Sequence, residues 1–235
     1  MKLVVLAGGF GTRLQSVVAD IPKALAPIAN IPFLQLQIEH WKSQGIYSFV
    51  FLLHHQSDLI IDFLKNQQND TLKDCQIAWL VEPEPMGTGG AVAYAIKQLH
   101  FSGDFLLTNA DTWLGNGIKQ LLDAPSPAMV IVKVDNASRY GCVELDDQNT
   151  VKVFHEKRSY NASGYINAGL CLLHPGLFKD LNNKPFSLEQ ILFPFLANNG
   201  ILTAVPINTD FIDIGIPDDY FRFCRWIESG KKVKL

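Results

Sequence analysis

The sequence predicts an α/β fold built on a mostly parallel central sheet, with a small added β subregion in its second half. Three observations carry this expectation. Apolar runs such as Leu3 to Ala7, Ser48 to Leu53 and Phe105 to Thr108 lack polar alternation, as strands buried on both faces do. Up to Val134 such runs alternate with helical patterns, the order of a parallel sheet covered on both sides. Beyond it, strand signals follow one another, first across the turn cluster Asp146-Asp147-Gln148-Asn149.

The first strand runs into Gly8-Gly9-Phe10-Gly11-Thr12-Arg13-Leu14. Gly8, Gly9 and Gly11 permit positive φ and would expose successive N–H groups, a nest that favours an anion, and Arg13 adds a permanent charge. Phosphate is the expected ligand; a structural turn with no ligand is the competing reading. No lysine follows Gly11 at P-loop spacing, and Leu14 stands where a dinucleotide fingerprint needs its third glycine.

Pro22 disfavours a helix through Ile21-Pro22-Lys23, so Lys23 is expected on a stiff extended piece. Pro32 suits the first position of a helix carrying Leu34, Ile38 and Trp41, which Gly45 stops. After the Ser48 to Leu53 strand, Ser57 or Asp58 can cap a short helix, and Ile77 to Val81 reads as the next strand. Glu82 to Ala91 reads as a second glycine loop in close backbone contact with a ligand, ahead of a helix over Val92 to Leu99. Phe105 to Thr108 ends in Asn109-Ala110-Asp111, which puts a carboxylate at the sheet edge where open α/β folds bind ligands.

Met129 to Val134 is the fifth strand, and Gly141 to Leu145, Val151 to Glu156 and Tyr165 to Leu173 follow. Ser187 with Gln190 forms a capping box before an apolar helix, and Leu202 to Val205 returns to strand. Phe211 to Pro217 leads into a last helix, with Asp218 and Asp219 at the positive end of its dipole and Gly230 at its stop.

At 235 residues, with 48% hydrophobic and 18% charged residues, the chain can bury a full core. A net charge of -3 argues against general nucleic-acid binding. Four dispersed cysteines, Cys75, Cys142, Cys171 and Cys224, form no zinc or redox pattern. With no leader and no apolar run of membrane-spanning length, a cytoplasmic protein without a membrane partner is expected. No repeat or long linker interrupts it, so one continuous domain over residues 1–235 is favoured.

The polar residues gathered at strand ends are Arg13, Lys23, Glu82, Asp111, Glu156, Lys157, Asn167 and Asp213. Cations beside two aspartates, with no histidine or cysteine neighbours, suit phosphates and a hard oxygen-ligated metal, so Mg2+ is expected over zinc. Any one of these charges alone reads as an ordinary solvated residue. His54-His55 reads as a pair of edge residues, and His155 as alternating to the opposite face from its neighbour.

The run Leu6-Ala7-Gly8-Gly9-x-Gly11-Thr12-Arg13-Leu14, followed by Pro22-Lys23, resembles the signature of sugar-1-phosphate nucleotidyltransferases. The likeness continues through Gly87-Thr88-Gly89-Gly90-Ala91, Asp111, Tyr140-Gly141, Phe154-x-Glu156-Lys157, Asn167-Ala168-Gly169 and Asp213-Ile214-Gly215-x-Pro217. Alanine before Asp111 and arginine after Lys157 depart from the family pattern.

The resemblance implies a Rossmann-like α/β/α sandwich that joins a sugar 1-phosphate to a nucleoside triphosphate and releases pyrophosphate. It also implies a nucleotide-binding half over about residues 1–135 and a sugar-phosphate half over about 136–235. Arg13 and Lys23 would be catalytic. Leu6, Ala7, Gly8, Gly9, Gly11, Thr12, Glu82, Gly87 and Thr88 would bind the nucleotide. Asn109, Gly141, Glu156, Lys157 and Asn167 would meet the sugar phosphate, and Asp111 and Asp213 the metal. A carboxylate at Glu82 can accept from both N1–H and N2–H of guanine, so GTP is the preferred donor; Glu82 capping backbone donors is the alternative.

The chain's end soon after Gly230 resembles compact guanylyltransferases of bacterial capsule and lipopolysaccharide sugars, most closely those for D-glycero-α-D-manno-heptose 1-phosphate. Mannose, glucose and N-acetylmuramate phosphates stay open, as does a homodimer. A regulatory module without catalysis and an NAD-dependent oxidoreductase are the readings from other classes.

Overall fold

The computed structural model describes residues 1–156, 162–181 and 184–230. Its first half runs β1 (Leu3–Leu6), a 3-10 turn (Lys23–Leu25), β2 (Pro27–Ile28), β3 (Ile31–Pro32), α1 (Phe33–Ser43), β4 (Ser48–Leu53), α2 (Ser57–Asn66), β5 (Gln76–Val81), α3 (Gly87–Gln98), β6 (Phe105–Asn109) and β7 (Thr112–Leu114). Then come α4 (Ile118–Leu122), β8 (Ala128–Val134), β9 (Cys142–Leu145), β10 (Val151–His155), β11 (Gly164–Leu173) and a 3-10 turn (Pro175–Phe178). A wide helical turn (Leu188–Leu192) continues as α5 (Phe193–Asn198), followed by β12 (Thr203–Pro206), β13 (Phe211–Asp213) and α6 (Pro217–Glu228). The α/β class expected from the sequence is the class observed. No helix among the described residues is long and apolar enough to cross a membrane.

The chain divides into two compact units: one of Met1–Glu84, Thr108–Gly115 and the residues from 210 on, the other of Pro85–Leu107 and Asn116–Thr209. In the first, β4 lies between β1 and β5. β1 and β4 run parallel with Leu3 opposite Phe49 and Leu6 opposite Leu52, and β4 and β5 are likewise parallel. Every side chain from Phe49 to Leu53 is buried, which is why that run shows no polar alternation. Ala7 N–H donates to Leu52 O (2.9 Å) and Ala110 N–H to Leu6 O (3.0 Å). The glycine loop and Asp111 therefore leave the same edge of the sheet.

Beneath that edge lies an apolar cluster that includes Leu14, Ile28, Phe33, Trp113, Ile214, Tyr220 and Phe223. Phe223 meets Phe33 edge-on at 5.2 Å and Trp113 at 5.3 Å. Each ring withdrawn from water contributes about 1.5–3 kcal/mol. The antiparallel pair β7·β13 sets Asp213 opposite Thr112, and Tyr220 Oη donates to Pro27 O at 2.6 Å. Burial, and then the neighbouring Cys224, push the Tyr220 phenol up to about 12.

The second unit orders its strands β12–β8–β11–β9–β10. β12 is parallel to β8, and the remaining pairs are antiparallel. The β9–β10 turn closes on Asp146, whose Oδ1 accepts from the N–H groups of Gln148 (3.0 Å) and Thr150 (2.8 Å).

Four local expectations are corrected. Lys23 opens a 3-10 turn instead of lying extended, because proline restricts the residue before it and leaves the one after free to turn. Neither Ser57 nor Asp58 caps α2; Gln56, in a left-handed conformation at φ 52°, precedes it without a side-chain bond. α3 begins at Gly87, five residues before the expected Val92. The capping box is half made, since Ser187 Oγ accepts from Glu189 N and Gln190 N while Gln190 Nε2 turns to Glu156 Oε2 at 3.0 Å. The helix there opens into a wide turn, with Phe193 N–H donating to Leu188 O, just before Pro194, which has no N–H to offer.

Candidate active site

Loop geometry at Gly8 to Arg13 differs from the expectation in one respect. Of its three glycines only Gly11 is left-handed, at φ 63°. Gly8 serves close approach instead, since a Cβ there would fall 3.0 Å from Glu82 Oε1 and 3.1 Å from His54 Cβ. Gly9 faces open space. Among the described residues no N–H from Gly8 to Arg13 donates to another backbone group, although Leu14 N–H returns to Gly11 O at 2.9 Å. The loop therefore presents consecutive donors, with exposed Thr12 and Arg13 following them. Phe10 rests on His55 at 5.1 Å and edge-on against His54 at 5.8 Å.

Lys23 and Asp111 form an ion pair through Nζ and Oδ2. Their side chains are 17% and 25% exposed, so the pair is partly shielded from water. Thr112 Oγ1 donates to the other carboxylate oxygen at 3.2 Å. Burial pushes the Asp111 carboxyl up, but the adjacent ammonium and the hydrogen bonds from Lys23 and Thr112 outweigh it and hold the group below the ordinary carboxylate range.

Asp213 joins the same edge. Ile214 N–H donates to Asp111 O at 2.9 Å, and Asp213 Oδ1 accepts from Gly215 N–H at 2.7 Å. A Cβ on Gly215 would meet Asp213 Oδ1 at 2.7 Å and Lys23 Nζ at 3.4 Å, so the missing side chain keeps this space clear. Among the described residues no three His, Cys, Asp or Glu side chains converge. Two carboxylates and no softer ligand fit Mg2+, which commonly takes one or two protein oxygens and fills its octahedron from phosphates and water.

Two supporting residues escaped the sequence reading. Gln37, 1% exposed in the middle of α1, donates through Nε2 to Thr112 O (2.9 Å) and Asn109 O (3.3 Å). His40, one turn on, meets Leu114 O at 2.9 Å and stacks on Trp113 at 4.5 Å. Burial lowers the His40 pKa against the opposing bonds to Leu114 and Gly115. Polar side chains on the stripe of Leu34, Ile38 and Trp41 were the available signal.

In the second unit, Gly87 and Gly89 make room for Phe186, and Gly90 for the backbone of Lys184 and Pro185. A Cβ would lie 2.6 Å from Phe186 O at Gly87, where φ is 68°, and 2.0 Å from the Phe186 ring at Gly89. The expected glycine loop is thus a helix start, and the close approach there is to the chain itself. Thr88 Oγ1 donates to Glu189 Oε2 (2.7 Å) and accepts from Leu188 N–H (2.9 Å). Asn167 N–H donates to Gly141 O (2.8 Å), its Oδ1 accepts from Gly169 N–H (2.9 Å), and the Phe154 ring leaves no room for a Gly141 side chain. His155 pairs with Glu144 at 3.6 Å. Lys157 lies outside the described residues.

The first unit thus brings Arg13, Lys23, Glu82, Asp111 and Asp213 to one sheet edge or its loops, while Thr88, Gly141, Glu156 and Asn167 belong to the second. Residues 2–229 match the nucleotidyl transferase family. The chain belongs to that family.

Among its relatives, this nucleotidyl transferase is 34% identical over 227 residues to the D-glycero-alpha-D-manno-heptose 1-phosphate guanylyltransferase of Campylobacter jejuni, covering 95% of this chain and 98% of that protein. It is 33% identical over 241 residues to mannose-1-phosphate guanylyltransferase 1 of Arabidopsis thaliana, covering 99% of this chain but 66% of the plant protein. The crystal structure of HddC from Yersinia pseudotuberculosis superposes with a TM-score of 0.83 at 33% identity, covering 96% of this chain and 99% of that one. A second HddC structure, in complex with GMP-PN, superposes at 0.82.

Proposed function

We propose that this nucleotidyl transferase is a guanylyltransferase that joins GTP to D-glycero-α-D-manno-heptose 1-phosphate, giving GDP-heptose and pyrophosphate. The observation that carries the reading is the Lys23–Asp111 pair beside a loop whose amide donors have no backbone acceptor among the described residues, an arrangement suited to a triphosphate and its counter-ion. The guanine and heptose parts draw support from the Campylobacter relative and from the HddC structure complexed with GMP-PN. Mannose 1-phosphate is the second reading, supported by the plant relative.

The reacting phosphate of a sugar 1-phosphate is anionic at neutral pH and needs no base to activate it. One of its oxygens forms the new bond to the α-phosphorus, and the bond to the β-phosphate oxygen breaks, its electron pair leaving with pyrophosphate. Catalysis then rests on in-line positioning and charge stabilisation. In this proposal the amides of Gly8 to Arg13 and the Arg13 guanidinium hold the triphosphate, and Lys23 meets the charge that develops at the α-phosphate. Glu82 reads guanine, and Gly141, Glu156, Lys157 and Asn167 serve the sugar phosphate. Asp111 and Asp213 would hold Mg2+, which supplies positive charge to phosphate oxygens when bound. Arg13, Lys23, Asp111 and Asp213 are all present, which favours an enzyme over a regulatory module that has lost its chemistry. A cytoplasmic setting and a role in capsule or lipopolysaccharide precursor synthesis form part of the same proposal.

A panel of nucleoside triphosphates against heptose, mannose, glucose and N-acetylmuramate 1-phosphates, followed by pyrophosphate release, tests it. Preference for GTP with heptose 1-phosphate supports the proposal. Preference for GTP with mannose 1-phosphate moves it to the second reading, and preference for UTP or CTP overturns the guanine assignment.

A further inference from the structure

We propose that Gln37 and Thr112 are positioning residues that fix the orientation of the Asp111 carboxylate. The inference rests on the reading that Asp111 holds the metal. Asp111 lies in the short connection between β6 and β7, and Gln37 Nε2 donates to carbonyls on both sides of it, Asn109 O at 3.3 Å and Thr112 O at 2.9 Å. Both ends of the connection are thereby tied to the middle of α1. From the second tied residue, Thr112 Oγ1 reaches back to Asp111 Oδ1 at 3.2 Å, while Lys23 engages Oδ2. The carboxylate is held at each oxygen by a different element.

Packing does not explain Gln37. It is 1% exposed on the apolar stripe of α1, and its Oε1 is buried without a hydrogen-bond partner among the described residues. Leaving an amide oxygen so placed is costly, and leucine or methionine would fill the same space without that cost. What the amide adds is the pair of donors. Glutamate could not replace it, because a carboxylate would turn acceptors toward two carbonyl oxygens. Groups that orient a metal-binding carboxylate commonly govern metal affinity by about 10–100-fold.

The test needs no turnover. GTP is titrated calorimetrically into the protein without sugar 1-phosphate, once with Mn2+ and once with EDTA, and the ratio of the two Kd values gives the tightening due to metal. In Gln37→Met and Thr112→Val this ratio is expected to fall by about 10–100-fold, with GTP affinity in EDTA unchanged. Asp111→Asn is the control. If the unaltered protein shows no tightening by metal, or Asp111→Asn keeps all of it, the reading of Asp111 fails and this inference falls with it. If Asp111→Asn loses the tightening while both other variants keep it, Gln37 and Thr112 serve only stability and the inference alone is overturned. Should Gln37→Met fail to fold, the nearly isosteric Thr112→Val decides.

Discussion

The Lys23 ammonium is ion-paired with the Asp111 carboxylate although 88 positions separate the two in sequence. The pair joins a turn that follows the glycine loop to the end of a strand on the same sheet edge. In the proposed reaction one partner faces phosphate charge and the other faces the metal, so each holds the other in place before substrates arrive.

Lys23→Met is expected to lower kcat by about 10²–10³, the scale of losing one preorganised stabilising group. The KM for GTP should change far less, because the Gly8 to Arg13 amides and Arg13 remain. Lys23→Arg should rescue little, since a planar fork does not fit the place of a compact ammonium. Steady-state kinetics with folding checked by circular dichroism measure this; a loss of affinity with kcat intact contradicts it.

Acid stability should report the same pair. The folded-state Asp111 carboxyl is held below its ordinary value of 3.8, so the stability it contributes is complete above that value and is lost as pH falls through the lower folded one. Asp111→Asn removes this titration. In urea unfolding from pH 7 to pH 2, the stability difference between the unaltered protein and Asp111→Asn should shrink below about pH 4. A difference that stays constant with pH contradicts the assignment.

Glu82→Gln should relax the preference for GTP, because an amide cannot accept both guanine donors as a carboxylate does. The ratio of kcat/KM for GTP to that for ATP and UTP is the measurement. An unchanged ratio assigns Glu82 to holding the loop beside Gly8, where its carboxylate oxygen stands 3.0 Å from the place of a Cβ.

Two glycines called by the same sequence logic should behave oppositely. Gly87→Ala meets the Phe186 carbonyl at 2.6 Å with φ at 68°, and an overpacked, strained site of this kind costs about 1–3 kcal/mol or more. Gly9→Ala meets nothing within 4 Å and should leave Tm nearly unchanged. Thermal unfolding of the two variants makes the comparison.

That contrast shows where the sequence was legible. Patterns set by one element's own period, such as the unbroken apolar run of β4 or Pro217 at the head of α6, were readable because burial and missing donors act locally. Gly87 and Gly89 read as a loop because their reason, Phe186, lies about a hundred residues further along the chain. Gln37 was passed over for the same cause: a polar residue on an apolar stripe shows that something is bonded there, but not that the partners are Asn109 and Thr112. Asp111 was found because a carboxylate at a strand's carboxyl end is a local signal, whereas its pairing with Lys23 is not.

The central claim is nucleotidyl transfer from GTP to a heptose 1-phosphate, and mass analysis of the products tests it most directly. Incubation with GTP, D-glycero-α-D-manno-heptose 1-phosphate and Mg2+ should yield GDP-heptose and pyrophosphate in equal amounts, with neither formed by Lys23→Met on the same timescale. Release of GDP and inorganic phosphate, or turnover of GTP with no nucleotide sugar formed, would contradict the account.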